Sequence, residues 1–479
     1  MEMMKIADHK RFQVNGDEFV FLTQTGGIFE VENGSETQRV LNHDIARKNF
    51  TKQAFYSVLK GNRSDKESLW NHLADNRILT GQLMPKHKSM THLRKIPLKT
   101  LVLHVTQSCN LMCHYCYHSP KDWHKTPQLS MELAVAEKAV DFLFEQSGKL
   151  EDLVLVFFGG EPLLNFKLIS NTITYADEKA RKQGKRIEYA MTTNGTLLTD
   201  KTIRFIHDNK IGTTVSLDGT QKVHDRFRRF PDGSPSYNVI LPKLKKFLGE
   251  KSPKPVVARV TLARDAKNIS KTLFHLLDLG FSEVGFAPVT TMDPDFQLGS
   301  GQMTHLLEQF QELSEMFINL ALEDQFLGFT NLVDILVTLH EGEVKLYPCG
   351  AGIGMFSVDP EGGLFLCQRL TNEPSAGMGD IFNGLDHKKL EKFRQDALLD
   401  KKKDCNGCWA ASICAGGCYH EAKIREGHLL SPNLHYCEWI KTWIETGLNV
   451  YGRLAREAPL FLDKLSMLRG HEPLFNSLV

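Results

Sequence analysis

The sequence predicts an α/β protein built on a parallel sheet, and three observations carry that prediction. Six short apolar runs, Leu101–Gln107, Leu153–Phe158, Ile187–Thr193, Gly212–Leu217, Val256–Leu262 and Glu283–Pro288, have the length and composition of strands. The segments between them, such as Ser130–Gln146 and Phe166–Gln183, repeat apolar residues at helical spacing among good helix formers. Strands that alternate with helices pair in parallel, and repeated units close such a sheet wholly or partly into a barrel. In barrels the chemistry gathers at the C-terminal ends of the strands, so the residues after each run are the candidate site.

The first run leads into Val105-Thr106-Gln107-Ser108-Cys109-Asn110-Leu111-Met112-Cys113-His114-Tyr115-Cys116-Tyr117, with the spacing C-x3-C-x2-C. Three thiolates converging from one loop can hold three irons of a [4Fe–4S] cube and leave the fourth iron open to a non-protein ligand. Zinc favours four ligands, and no fourth Cys or His stands at a fitting offset, His114 being incidental. The loop resembles that of the radical S-adenosylmethionine (SAM) superfamily. The resemblance implies that SAM chelates the open iron through its amino and carboxylate groups. It also implies a 5′-deoxyadenosyl radical, made when one electron from the cluster cleaves SAM, and a partial (β/α)6 barrel.

The later strand ends extend the same resemblance. After the second run, Phe158-Gly159-Gly160-Glu161-Pro162 offers glycines that let backbone approach a ligand and a glutamate that can accept from an ammonium. It resembles the family's motif for the SAM amino group. Thr192-Thr193-Asn194-Gly195 and Ser216-Leu217-Asp218-Gly219 place polar groups at the same rim. The resemblance assigns Gly159, Gly160, Glu161, Thr193, Asn194, Ser216 and Arg228 to SAM, with Arg226 and Arg229 competing for the place of Arg228. Tyr115 and Tyr117 either pack on adenine or cover the cluster. Asp218, Asp225 and Asp232 are candidate bases.

The other seven cysteines, Cys349, Cys367, Cys405, Cys408, Cys414, Cys418 and Cys437, read C-x12-G-x4-C, then C-x2-C-x5-C-x3-C, then a final Cys. This string resembles the SPASM extension of radical SAM enzymes that modify peptides, and implies two auxiliary [4Fe–4S] clusters beside the SAM-binding one. Carried over by position, Cys405, Cys408, Cys414 and Cys437 hold one, and Cys349, Cys367 and Cys418 hold the other. The second set is one ligand short, because Gly350-Ala351-Gly352-Ile353-Gly354 follows Cys349 where sulfatase maturases carry a further cysteine. An iron left open there could bind a substrate thiolate, unless water or a carboxylate fills it.

The expected divisions are 1–95, a small α+β unit; 96–325, the barrel; and 326–479, the cysteine-rich SPASM domain. In the first unit Glu18–Gln24 and Gly27–Glu32 read as a hairpin, and Lys52–Lys60 and Lys66–Asn76 as helices. It resembles the peptide-recognition domain of peptide maturases, or else caps the barrel. Met84–Lys95, basic and poorly periodic, reads as a linker, and Glu438–Glu457 as a helix ending before Pro459. A content of 42% hydrophobic and 24% charged residues suits a soluble globular protein, and a net charge of +1 gives no reason to expect nucleic acid. No membrane-spanning stretch and no apolar signal region is seen, so a cytoplasmic chain is expected.

The expected function is radical modification of a ribosomally made, Cys-containing polypeptide, supplied with electrons by a flavodoxin- or ferredoxin-type donor. Length, the long N-terminal extension and the seven-cysteine region resemble the thioether-forming maturases of the quinohemoprotein amine dehydrogenase small subunit. These link Cys sulfur to Asp or Glu methylene carbons. The alternative is a sulfatase-type maturase that makes formylglycine, although that subfamily has an Asp base after the cysteine matching Cys367 and here Gln368 stands there. A reading of another class, a non-catalytic iron–sulfur electron carrier, leaves the Gly-Gly-Glu-Pro motif without a purpose.

Overall fold

The computed structural model describes residues 3–81, 96–117, 129–264, 266, 268–371 and 373–470. The linker expected at Met84–Lys95 lies outside the described residues. The N-terminal unit holds strands β1 (Met4–Ile6), β2 (His9–Val14), β3 (Asp17–Leu22), β4 (Ile28–Val31) and β5 (Leu79–Gly81), with helices Glu36–Asn42, Lys52–Val58 and Arg63–Asp75. The expected hairpin is β3–β4, turned at Gly26 with φ of +73°. A core of its own, including Phe55, Leu73 and Leu22, closes one face of this unit. The other face, Phe12, Val14, Phe19 and Phe21, packs on Leu339, Ile413, Ile444 and Leu448. The unit is therefore seated on the cysteine-rich region through apolar burial.

Six parallel strands follow in sequential order: β6 (Thr100–Thr106), β7 (Asp152–Gly159), β8 (Arg186–Thr193), β9 (Gly212–Ser216), β10 (Val256–Leu262) and β11 (Glu283–Pro288). Each lies within one or two residues of its expected run. Alternation sorts the faces: on β10, Val256, Ala258, Val260 and Leu262 are buried while Val257, Arg259 and Thr261 are not. The outer edge of β11 is closed by a side chain. Asn331 Oδ1 accepts from Phe286 N at 2.8 Å, and Asn331 Nδ2 donates to Phe286 O at 2.9 Å, so its amide stands in for a missing strand.

At the other side the sheet does not stop at β6. It runs on through β12 (Met355–Val358), β13 (Gly363–Phe365), β14 (Gly377–Asp380) and β15 (Gly384–Leu385), giving ten strands in one sheet among the described residues. β12 pairs in parallel with β6, and the sheet thus crosses the division expected at 325/326. Helix Cys437–Glu457 packs on helices Ser300–Leu322 and Thr330–His340 and on β2. It ends before Pro459, as expected, and Pro459 opens a further helix, Pro459–Arg469. Among the described residues no helix is long and apolar enough to cross a membrane.

Candidate active site

Two backbones meet where the cysteine loop leaves β6. Gly159 has φ of +137°, and a Cβ there would lie 2.2 Å from Thr106 O; one on Gly160 would lie 2.2 Å from Ser108 O. Gly160 N and Glu161 N each donate at 2.9 Å, to Thr106 O and Ser108 O. The glycines of the Gly-Gly-Glu-Pro motif are thus demanded by close packing against the cysteine loop, whatever else they bind. From the other side Met112 N donates to Arg229 O at 2.7 Å and His114 N to Phe227 O at 3.1 Å.

The loop and the strand ends enclose a cavity of about 410 Å³. Cys109, Cys113 and Cys116 line it together with Gly159, Gly160, Thr193, Asn194, Ser216, Arg228, Tyr115 and Tyr117. None of the ten cysteines is in a disulfide. Among the described residues no three His, Cys, Asp or Glu side chains crowd together for a single metal ion, so fit to a cluster is judged on donor chemistry. Leu111 N at 3.4 Å and Asn194 Nδ2 at 3.7 Å point at Cys109 Sγ, and Arg228 approaches Cys113 Sγ at 4.0 Å. Donors aimed at sulfur favour the thiolate that iron requires. In the metal-free protein, burial opposes that charge and pushes Cys109 to about 11 and Cys113 to about 12. Cys109 and Cys113, with Cys116 on the same cavity wall, therefore fit a cluster that replaces their protons.

Glu161 departs from the expectation that it faces an ammonium. It is fully buried and off the cavity wall; Leu163 N and the Thr193 hydroxyl donate to one oxygen at 3.1 and 2.7 Å, and Asn194 N to the other at 2.7 Å. Its carboxylate ties the second strand end to the third. Burial raises its pKa to about 7.

The three candidate bases separate. Asp218, 2% exposed, accepts from Arg228 Nε at 3.0 Å, from the Tyr115 hydroxyl, and from Thr261 N at 3.0 Å. It anchors the arginine and the tyrosine rather than standing open to a substrate. Asp225 accepts from Ser236 N and Tyr237 N at 3.0 and 2.8 Å, starting helix Tyr237–Gly249 away from the cavity. Asp232 closes an exposed turn through Ser234. Sequence reasoning did not single out His224: it accepts from Asp218 N at Nδ1, and Nε2 lies 2.9 Å from Ser236 Oγ, whose own proton goes to Arg228 O. Nε2 therefore carries the hydrogen, and burial lowers the ring's pKa to about 4.

The auxiliary cysteines are brought together by other means. Cys349 and Cys367 flank the β12–β13 hairpin, whose turn uses Gly362 at φ of +93° and Asp359, which accepts from Gly363 N at 2.7 Å. The C-x12-G-x4-C spacing is that hairpin. Between Cys414 and Cys418, Ala415, Gly416 and Gly417 all have positive φ, at 50°, 84° and 83°. Cys405, Cys408, Cys414 and Cys437 lie within electrostatic reach of one another, and so do Cys349, Cys367 and Cys418. Five of the seven line a second cavity of about 740 Å³. The two cavities share the wall formed by Arg259, Ala287, Pro288, Thr290 and Arg369. Gln368 lines the first, with its buried Oε1 unpartnered.

Comparison with known proteins gives the class. Residues 103–281 match the model of the radical SAM superfamily, and this part of the chain is a radical SAM domain. An uncharacterised protein of Methanocaldococcus jannaschii is 34% identical over 139 residues, which cover 29% of this chain and 45% of that protein. The cysteine-type anaerobic sulfatase-maturating enzyme of Clostridium perfringens is 24% identical over 370 residues, covering 73% and 96%. A radical SAM cyclopropyl synthase of Paramaledivibacter caminithermalis is 21% identical over 362 residues, covering 72% and 73%. The solved structure of native anSMEcpe with bound AdoMet shares the fold at a TM-score of 0.63 and 21% identity, over 75% of this chain and 99% of that one.

Proposed function

We propose that this radical SAM enzyme oxidises a side chain of a polypeptide, and that its reaction is of the sulfatase-maturase kind, the conversion of a Cys or Ser to formylglycine. The observation that carries the reading is the shared wall: the cavity holding Cys109, Cys113 and Cys116 adjoins the one holding Cys405, Cys408, Cys414 and Cys437. The similarity to the C. perfringens enzyme covers 73% of this chain. Cys109, Cys113 and Cys116 would hold the cluster, and when bound, SAM and cluster supply a 5′-deoxyadenosyl radical that takes a hydrogen from the substrate. Thr193, Asn194, Ser216 and Arg228 line the cavity of those three cysteines and would hold SAM, and Arg228 is fixed for this by Asp218. Tyr115 braces Arg228 through its ring, 5.4 Å from the guanidinium, and through the shared Asp218 oxygen. The seven remaining cysteines would hold two auxiliary clusters in the two sets named, and such clusters would supply an acceptor for the substrate's surplus electron.

One observation favours a second reading. Gln368 stands where sulfatase maturases carry an Asp base, and an amide cannot take a proton. With three thiols in the set of Cys349, Cys367 and Cys418, this fits thioether formation, in which a substrate sulfur bonds to the carbon that lost hydrogen. Anaerobic reaction of the reconstituted protein with SAM, dithionite and the Cys-containing polypeptide encoded nearest its gene, read by tandem mass spectrometry, separates the two. Loss of sulfur from one Cys, or oxidation of one Ser, establishes formylglycine. Loss of a hydrogen pair with fragmentation blocked between Cys and an acidic residue establishes a thioether. 5′-Deoxyadenosine that never depends on any polypeptide would overturn both.

A further inference from the structure

Arg259 and Arg369 stand together in the wall between the cavities, and among the described residues neither has a carboxylate of its own. Arg259 lies on the inward face of β10, between the buried Ala258 and Val260, with its side chain exposed to the cavity and without a hydrogen bond. The acidic group that reaches it, Asp334, is already held by Arg469 at 3.2 Å. Arg369 lies 5.5 Å from the ring of Tyr117 and donates to Thr290 Oγ1 at 3.5 Å, while the acid that reaches it, Glu421, pairs with Arg425. Each guanidinium feels the other's positive charge, which opposes placing both there without an anion between them.

Cys367 and Cys418 lie near Arg369, and as cluster ligands they would offset part of its charge. Arg259 keeps its own. In the SAM loop the Cys113 thiol has Arg228 as its cationic neighbour, so an anion seated against Cys113 is served by Arg228 and leaves the two arginines for another. A guanidinium presents its donors in a rigid planar fork, which suits paired hydrogen bonds to a carboxylate.

We propose that Arg259 and Arg369 form a carboxylate clamp that seats an Asp or Glu side chain of the polypeptide substrate at the junction of the two cavities. This rests on the peptide-modifying reading above. The clamp would fix which residue faces SAM, by holding an acid at or beside it.

The test uses reconstituted holoenzyme with SAM and a fluorescein-labelled dodecapeptide carrying one Cys flanked by Asp and Glu, against the same peptide with Asn and Gln in their place. By fluorescence anisotropy the wild type is expected to prefer the acidic peptide about tenfold, the scale of one charge-assisted pair. Arg259→Gln loses that preference and Arg259→Lys keeps part of it, with iron content and SAM affinity by equilibrium dialysis unchanged in both. Equal preference in wild type and Arg259→Gln overturns the clamp. So does a fall in SAM affinity with the peptide preference intact, which would give Arg259 to the SAM carboxylate. If SAM is cleaved but neither peptide binds the wild type, the clamp fails for these acids, and failure of the mass-spectrometric assay separately decides the peptide-modifying reading.

Discussion

In the barrel, three thiols sit on a loop wedged between backbones; in the C-terminal region, seven are gathered by a hairpin, a left-handed turn and a helix end. The first arrangement depends on two glycines that admit no side chain, and on strands paired on both sides. The second depends on side-chain packing, including the face of β2 and β3 that covers Ile413 and Leu448. The difference teaches where each site is vulnerable: the barrel site to any added atom at the loop, the auxiliary site to loss of its thiols and of the packing around them.

The largest expected effect is therefore at Gly160. Gly160→Ala puts a methyl into Ser108 O and must displace the loop, so SAM cleavage should be abolished, with iron lost selectively from the SAM-binding cluster; 5′-deoxyadenosine assay and electron paramagnetic resonance check this. Cys405→Ala with Cys408→Ala should do the reverse. SAM cleavage persists, uncoupled, while modified polypeptide disappears, and mass spectrometry run beside the deoxyadenosine assay reads both. If this double variant stops SAM cleavage in a folded protein, the two sites are not separable.

Arg228→Gln should cost about 3–5 kcal/mol of stability, because it leaves Asp218 buried without its cation; denaturant unfolding measures it. The pH response is subtler. His224, held near 4, contributes stability that is present above its unfolded pKa and lost as pH falls from about 6.5 toward 4. Glu161, raised to about 7, contributes stability that is present below its unfolded pKa and lost as pH rises from about 4.5 through 7. Between those limits the two oppose. Glu161→Gln should unmask the histidine, so that barrel stability falls on acidification by about 1.4 kcal/mol per pH unit relative to wild type. The smallest effect is at the outer edge: Asn331→Ala removes both bonds to Phe286 and should cost about 1–2 kcal/mol, seen as faster hydrogen exchange along β11.

The barrel strands and the helix Phe166–Gln183 were legible because period and composition agreed locally, and the cysteine strings because their spacing is a ligand pattern. The role of Glu161 was not. A carboxylate in a Gly-Gly-Glu-Pro turn suggests an exposed acceptor, and only the three donors converging from residues 163, 193 and 194 turn it inward. Asp218, Asp225 and Asp232 were alike as sequence; their fates were decided by Arg228, by the helix at Tyr237 and by the turn at Ser234. Arg259 left a trace that could have been used, a lone cation in the alternating strand Val256–Leu262. Arg369 left none beyond its place after Cys367.

The pairing of β12 with β6 bears on how this protein can be cut and recombined. Although β12 lies some 250 positions along the chain from β6, it supplies that strand's second hydrogen-bonding partner. Truncation at 325 would leave β6 with one bare side, a long apolar template on which other chains could add. Its C-terminal half is thus a built-in guard against aggregation as well as a cysteine scaffold, and grafting the barrel onto another partner requires grafting the hairpin with it.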